Sequence, residues 1–584
     1  MRDRTFFLLL LTVLLCVCPT RSWRLTTRWL PDRTLRLGWL IPAPPPTVHT
    51  REGELRGLVA HSADGHLFYS FLGIPYARAP VRFRPPERNP GWSGVRSATR
   101  HGSKCVQWVH DDLVGSEDCL FANVYTRQLP ASGASAGPRL PVMVFIHGGG
   151  FVEGHGDGEN HGPRYFMDED IVLVTFNYRL GPFGFFTTHD GHAPGNYGLR
   201  DQVLLLHWVR DNIAAFGGDP RSVTVFGSSA GAASVSLMVL SPLTKDLFHH
   251  AISQSGSAIS SFAASGRRKG LARRFAAELG CAGSDSTAYV ECAVAASARQ
   301  LMEASHRIRI AEIHTEGRFL PRVDRESVQP VLPDDPRALL LRGEFNLVPW
   351  MAGLVEEEGV FYLSSIPEEE DLLDGLYAGN LTLWSLLADL TTPSETSIVE
   401  CGADPIVETH NIYHFLLYML PAASPTNPLP FARLLSDRLF VASSSEEMRL
   451  ASQVAPVYKY LLDHRGPGRL YYHPPVLPEL GVTHSDELAY MFNREGRPLE
   501  PAHSPARTMI RFIVSLWTSF ARTGRPSSDV RPMPDWPMYS EQRELYMRLN
   551  WEPSVDRRLF PDRVDFWQTV RINEPWRRIV EECD

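Results

Sequence analysis

The sequence predicts an α/β fold: a large, mostly parallel twisted sheet covered by helices on both faces. Three observations carry this expectation. Val142 to Ile146 and Ile171 to Thr175 are unbroken apolar runs of strand length, as strands buried on both faces require. Gln202 to Asn212 has helical periodicity and separates them from a third strand, Val223 to Phe226. That strand runs into Gly227-Ser228-Ser229-Ala230-Gly231, followed by small residues that suit the start of a helix.

Gly-x-Ser-x-Gly between a strand and a helix is the pattern of a nucleophile elbow. A serine held on so sharp a turn needs a strained backbone and neighbours without side chains, because a Cβ would strike the adjoining strand or helix. Ser229 is the candidate nucleophile, and the amide of Ala230 a candidate donor to an oxyanion.

The 584 residues are enough for one large α/β domain, and 43% hydrophobic content is ample for its core. A formal charge of −8 and the absence of a basic stripe exclude a nucleic-acid partner. Met1 to Ser22 has the form of a secretory signal. Arg2 and Arg4 precede an apolar run from Phe6 to Cys18, and Thr20 and Ser22 are the small residues before cleavage. Residues 23–46 form a basic, Pro-containing extension, residues 47–575 a single domain, and residues 576–584 a charged tail. No other stretch has spanning length, so no membrane anchor is evident.

Six cysteines remain beyond the signal. In an oxidising compartment, Cys105 with Cys119 and Cys281 with Cys292 are natural disulfides across short loops. Cys401 and Cys583 are open: paired together, free, or, for Cys583, linking two chains. Asn380-Leu381-Thr382 is the single glycosylation sequon. The C-terminal half has helical periodicity at Lys269 to Leu279, Asp335 to Arg342, Glu447 to Gln453 and Pro505 to Arg522.

A serine hydroxyl needs a base, a group that orients the base, and donors aimed at the oxyanion. Gly148-Gly149-Gly150 directly after the strand ending at Ile146 exposes amides without side chains, and Gly149 and Gly150 join Ala230 as donors. The acid is one of three carboxylates, Glu356, Glu357 and Glu358, after the strand at Met351. The base is one of 21 histidines, with His484 suggested by its polar break before a helix-like segment.

From about residue 48 to 570 the chain resembles the type-B carboxylesterase and cholinesterase family. The resemblance rests on Phe71-Leu72-Gly73-Ile74-Pro75-Tyr76-Ala77, Arg82-Phe83-Arg84-Pro85-Pro86, Ser116-Glu117-Asp118-Cys119-Leu120 and Val144 to Phe151. It continues through Asn177-Tyr178-Arg179, Asp201-Gln202, the elbow and Gln254-Ser255-Gly256. It implies the α/β-hydrolase fold and a triad of Ser229, Glu358 and His484, with no cofactor and no metal. It also implies the two disulfides, structural ion pairs Arg82/Glu117 and Arg179/Asp201, and Ser255 behind the triad. Ser228 lies in the same second layer, and Phe262 resembles an acyl-pocket wall.

Two departures narrow the implied activity. Ser228 stands where the family commonly has glutamate. The Cys105–Cys119 loop is short and lacks the tryptophan that holds choline, since Trp108 is too near Cys105, and this argues against acetylcholine. Arthropod carboxylesterases are closer in style. The implied function is therefore a secreted carboxylic-ester hydrolase with a small-molecule ester as its partner. A juvenile-hormone or methyl-farnesoate-type methyl esterase and a lipase are the alternatives. A catalytically silent extracellular binding or adhesion protein on the same fold is the reading from a different class.

Overall fold

Eleven strands form one sheet, which we number in chain order. They are β1 (Leu58–His61), β2 (Leu67–Pro75), β3 (Phe121–Thr126), β4 (Leu140–Ile146), β5 (Val172–Phe176), β6 (Gly218–Ser228), β7 (His250–Gln254), β8 (Trp350–Val355), β9 (Val457–Leu462), β10 (Leu545–Leu549) and β11 (Ser554–Arg557). Their spatial order is β11-β10-β9-β8-β7-β6-β4-β5-β3-β2-β1. The stretch from β10 to β5 is parallel throughout. Antiparallel strands close both edges.

The computed structural model describes residues 45–109, 111–130, 138–263, 270–281, 283, 285–311, 319–363, 429–466 and 481–569. The chain divides into Met1–Pro44 and Pro45–Asp584, and every described residue belongs to the second unit. The expected signal and most of the extension, Asn380, Cys401, Cys583 and the tail lie outside the described residues.

Successive residues of β4 go to opposite faces. Val142, Val144 and Ile146 join one core cluster, and Met143 and Phe145 the other. Both sets are buried, which is why the strand reads as a continuous apolar run. On the first face lie helices α1 (Tyr197–Asn212), α2 (Ala230–Leu240), α3 (Leu429–Ser436) and α4 (Ala442–Ala451); on the second lies α5 (Pro505–Thr523). No helix among the described residues is long and apolar enough to cross a membrane.

Expected boundaries move most where tertiary contacts override propensity. Helix α1 starts five residues before the periodic segment, although Gly198 weakens it locally. A Cβ on Gly198 would lie 2.5 Å from the Arg179 carbonyl oxygen, so close packing requires glycine there. Asn196 holds the helix start in a left-handed conformation (φ 56°), and its side chain is anchored twice on the Arg322 backbone.

The expected covalent and ionic ties form. Cys105 is bonded to Cys119, and Cys281 to Cys292. Arg82 grips Glu117 through both carboxylate oxygens, at 2.7 and 2.6 Å. The buried Arg179–Asp201 pair is also bidentate, at 2.8 and 2.6 Å, and Asp201 accepts the Arg179 amide as well. Such extra donors offset the cost of burying the charges.

One buried acid was not singled out by the sequence. Helix α4 presses Glu447 against α2, where its Oε1 accepts from the Ser236 hydroxyl and the Ala258 amide. Burial lifts its carboxyl from 4.5 to about 7 against the pull of these donors. A pKa raised on folding stabilises fully below the unfolded value and is lost as pH rises through the folded one. Glu447→Gln is therefore expected to gain stability over wild type between about pH 4.5 and 7, by on the order of 3 kcal/mol, and then to level off. Denaturant unfolding across that range checks this; a pH-independent difference would contradict it.

Candidate active site

The elements that carry the expected site residues end side by side. Strands β4, β6, β7 and β8 are neighbours, and each delivers its residues just beyond its C-terminal end, where open α/β sheets place ligand sites. From β4 come Gly148 to Gly150, from β6 Ser229, from β7 Ser255 and from β8 Glu358. Two backbone bonds tie the ends together: the Ser229 amide donates to Gln254, and the Ser255 amide to Gly353, both at 2.9 Å.

Ser229 sits at φ 60° and ψ −126° at the start of α2, outside the conformations that L-residues prefer. The flanking glycines explain how the turn fits. A Cβ on Gly231 would come 2.0 Å from the Ile146 carbonyl oxygen, and one on Gly227 would come 2.6 Å from the same atom. Gly148 also lies against the turn, since a Cβ there would come 2.7 Å from the Ser228 carbonyl oxygen and 3.0 Å from Ser229 Cβ. Gly149 and Gly150 have φ of 107° and 59°. No hydrogen bond among the described residues takes the amides of Gly149, Gly150 or Ala230.

The three carboxylates after β8 part company. Glu357 is held bidentately by Arg433, while Glu356 is half-buried and pushed up by burial and by Glu357. Glu358 is fully buried and its two oxygens are divided between partners. Oε1 accepts from Ser255 Oγ at 2.6 Å and from the Val355 amide at 2.9 Å, and Oε2 lies 2.6 Å from His484 Nδ1. A bond from the Glu357 amide to the Val482 carbonyl, 2.8 Å, fastens the glutamate turn to the histidine loop. His484 Nε2 is buried and makes no hydrogen bond among the described residues.

The Ser228 hydroxyl makes no hydrogen bond to Glu358 or His484 among the described residues. It donates to Glu487 Oε1 at 2.8 Å and lies 3.2 Å from Ser485 Oγ. Gln254 also donates to Glu487, and Trp517 Nε1 donates to Gln254. Burial and the nearby charge of Glu358 push Glu487 up to about 7. Glu487 thus belongs to the site, although sequence reasoning gave it no role. Its signal was its place three residues after His484; its pairing with Ser228 spans 259 residues and cannot be read locally.

Phe262 is buried against Phe440, with ring centroids 5.4 Å apart, and Phe440 lies on the His484 imidazole at 4.5 Å. Phe440 also escaped sequence reasoning. It sits in a π-helical turn, Asp437–Val441, between α3 and α4, and such turns carry no periodic signature.

A family model described as the carboxylesterase family matches residues 44–567. An acylcarnitine hydrolase of Rattus norvegicus is 35% identical over 89% of this chain and 90% of its own length. A juvenile hormone esterase of Tribolium castaneum is 33% identical over 82% of this chain and 84% of its own. A liver carboxylesterase of Sus scrofa is 34% identical over 91% and 94%.

The tightness of the elbow is testable without substrate. Gly231→Ala is expected to lose about 3 kcal/mol or more of stability, because backbone rather than a mobile side chain meets the new methyl group. Urea unfolding would reveal the loss, and a wild-type midpoint would contradict it.

Proposed function

Because the chain belongs to the carboxylesterase family, the serine hydrolases of carboxylic esters, we propose that it is a secreted esterase working through Ser229, His484 and Glu358 by way of an acyl-enzyme. The observation that carries the reading is the pairing of His484 Nδ1 with Glu358, which leaves a buried Nε2 without a hydrogen bond among the described residues, while the next residue, Ser485, lies 3.2 Å from Ser228, the neighbour of the strained Ser229. A neutral imidazole with Nδ1–H on a carboxylate has its lone pair on Nε2, the form a general base needs.

Ser229 Oγ attacks the ester carbonyl carbon while its proton passes to His484 Nε2. The oxyanion forms among the amides of Gly149, Gly150 and Ala230, each worth roughly 2.7–4 kcal/mol of barrier. The intermediate collapses, His484 returns the proton to the departing alkoxide, and the alcohol leaves. Water then repeats the sequence on the acyl-serine, releasing the carboxylic acid and restoring Ser229. Glu358 stabilises the transient imidazolium, and Ser255 keeps Glu358 turned towards it. Phe262 and Phe440 offer an apolar wall beside His484 for the acyl group. Secretion is supported by the two disulfides together with the N-terminal signal pattern.

Hydrolysis of p-nitrophenyl acetate tests the mechanism. Ser229→Ala is expected to lower kcat at least about 1,000-fold. His484→Ala should cost about as much, and the double variant no more than either, because the residues act as one unit. Losses that multiply, or a Ser229→Ala variant close to wild type, would overturn the assignment.

A further inference from the structure

Two buried serines tie together the aromatic rings beside His484. On the esterase reading above, we infer that the face of α4 bearing Ser443 and Glu447 is a specificity latch. It keeps Phe262 and Phe440 in contact and so restricts the site to esters of short-chain acids. Ester hydrolysis as described above uses none of Ser260, Ser443 and Glu447, so their place is to position the wall and not to react.

The two rings come from separate parts of the chain. Phe262 lies in the turns that follow β7, and Phe440 belongs to the π-helical turn that leads into α4. Their centroids are 5.4 Å apart at an interplanar angle of 53°, which is direct aromatic contact. Rings in contact admit no alkyl chain between them. Phe440 is fully buried and Phe262 nearly so, which closes the wall in this structure.

A hydrogen-bond relay holds that contact. Ser260 Oγ lies 2.8 Å from Ser443 Oγ, which in turn lies 3.2 Å from the Phe440 carbonyl oxygen and 3.4 Å from that of Leu439. One proton arrangement satisfies both steps: Ser260 donates to Ser443, and Ser443 donates to Phe440. The relay therefore starts two residues before Phe262 and ends on the backbone of Phe440 itself. Glu447 follows Ser443 by one helical turn and faces the same loop. Its carboxylate accepts from the Ala258 amide at 3.1 Å and from the Ser236 hydroxyl on α2. Helix α4 thus grips the loop at two points, residues 258 and 260. The loop is tightened further by the bonds from the Ser260 amide to Ser257 and from the Ala263 amide to Ser260. Ser260, Ser443 and Glu447 are all buried. Polar groups so deep cost free energy unless their bonds are made, which favours a single closed arrangement.

Hydrolysis of p-nitrophenyl acetate and p-nitrophenyl octanoate by the full chain tests the latch. Wild type should favour the acetate. Ser443→Ala and Ser260→Ala should each raise the octanoate-to-acetate ratio of kcat/KM about tenfold or more, mainly through a lower KM for octanoate. Glu447→Ala should act in the same direction. Glu447→Gln keeps an oxygen for the Ala258 amide and should retain the wild-type ratio. If Glu447→Ala fails to fold, the two serine variants carry the test. An unchanged or lowered ratio in both serine variants would overturn the latch, as would a change carried by kcat alone or a wild type that prefers octanoate. A folded wild type inert towards both esters would overturn the esterase reading and the latch with it, so the two failures are told apart.

Discussion

The left-handed turn at Ser229 is the constraint on which the rest of the structure depends. It costs on the order of 1–3 kcal/mol, and it persists because the surroundings leave no alternative. The strand before it is paired on both sides, the helix after it is buried along its whole length, and the Ser229 amide is held by Gln254. Gly227 and Gly231 let the Ile146 carbonyl pass within a distance that any side chain would forbid. Strained residues recur around it: Ser255 at φ 57°, Phe151 at 63° and Ser485 at 67° all lie on segments that reach the same edge of the sheet. The parallel sheet makes that edge, and its glycines let four chain segments meet there.

Charge is the second constraint. Two glutamates, Glu358 and Glu487, are buried around one histidine. The structure treats the two carboxylates unequally. Glu358 has the donors a carboxylate needs, from Ser255, Val355 and His484. Glu487 is pushed up by burial and by Glu358, and it rests on the neutral donors Ser228 and Gln254. Ser228 meets Glu487 with a hydroxyl, so no third carboxylate enters the same space.

The legible parts of the sequence were those set by local rules. Val142 to Ile146 read as a doubly buried strand because both faces are covered, and Ser229 was marked by its glycines. Pro505 to Arg522 was visible as a helix through its period, and the structure ends it at Thr523 before Gly524. The choice among Glu356, Glu357 and Glu358 was not local. It depends on Arg433 drawing Glu357 away and on Ser255 reaching Glu358, contacts that span 76 and 103 residues. The resemblance to a family supplied what spacing could not. It was silent on Phe440 and on Glu447, whose places are set by contacts between distant parts of the chain.

The central claim is that one serine, Ser229, is the nucleophile. Labelling the folded protein with a fluorophosphonate and locating the adduct by peptide mass spectrometry tests it most directly. The account predicts a single phosphonyl group on the peptide that contains Ser229, at that serine. An adduct on another residue, or a folded chain that takes up no label, would contradict it.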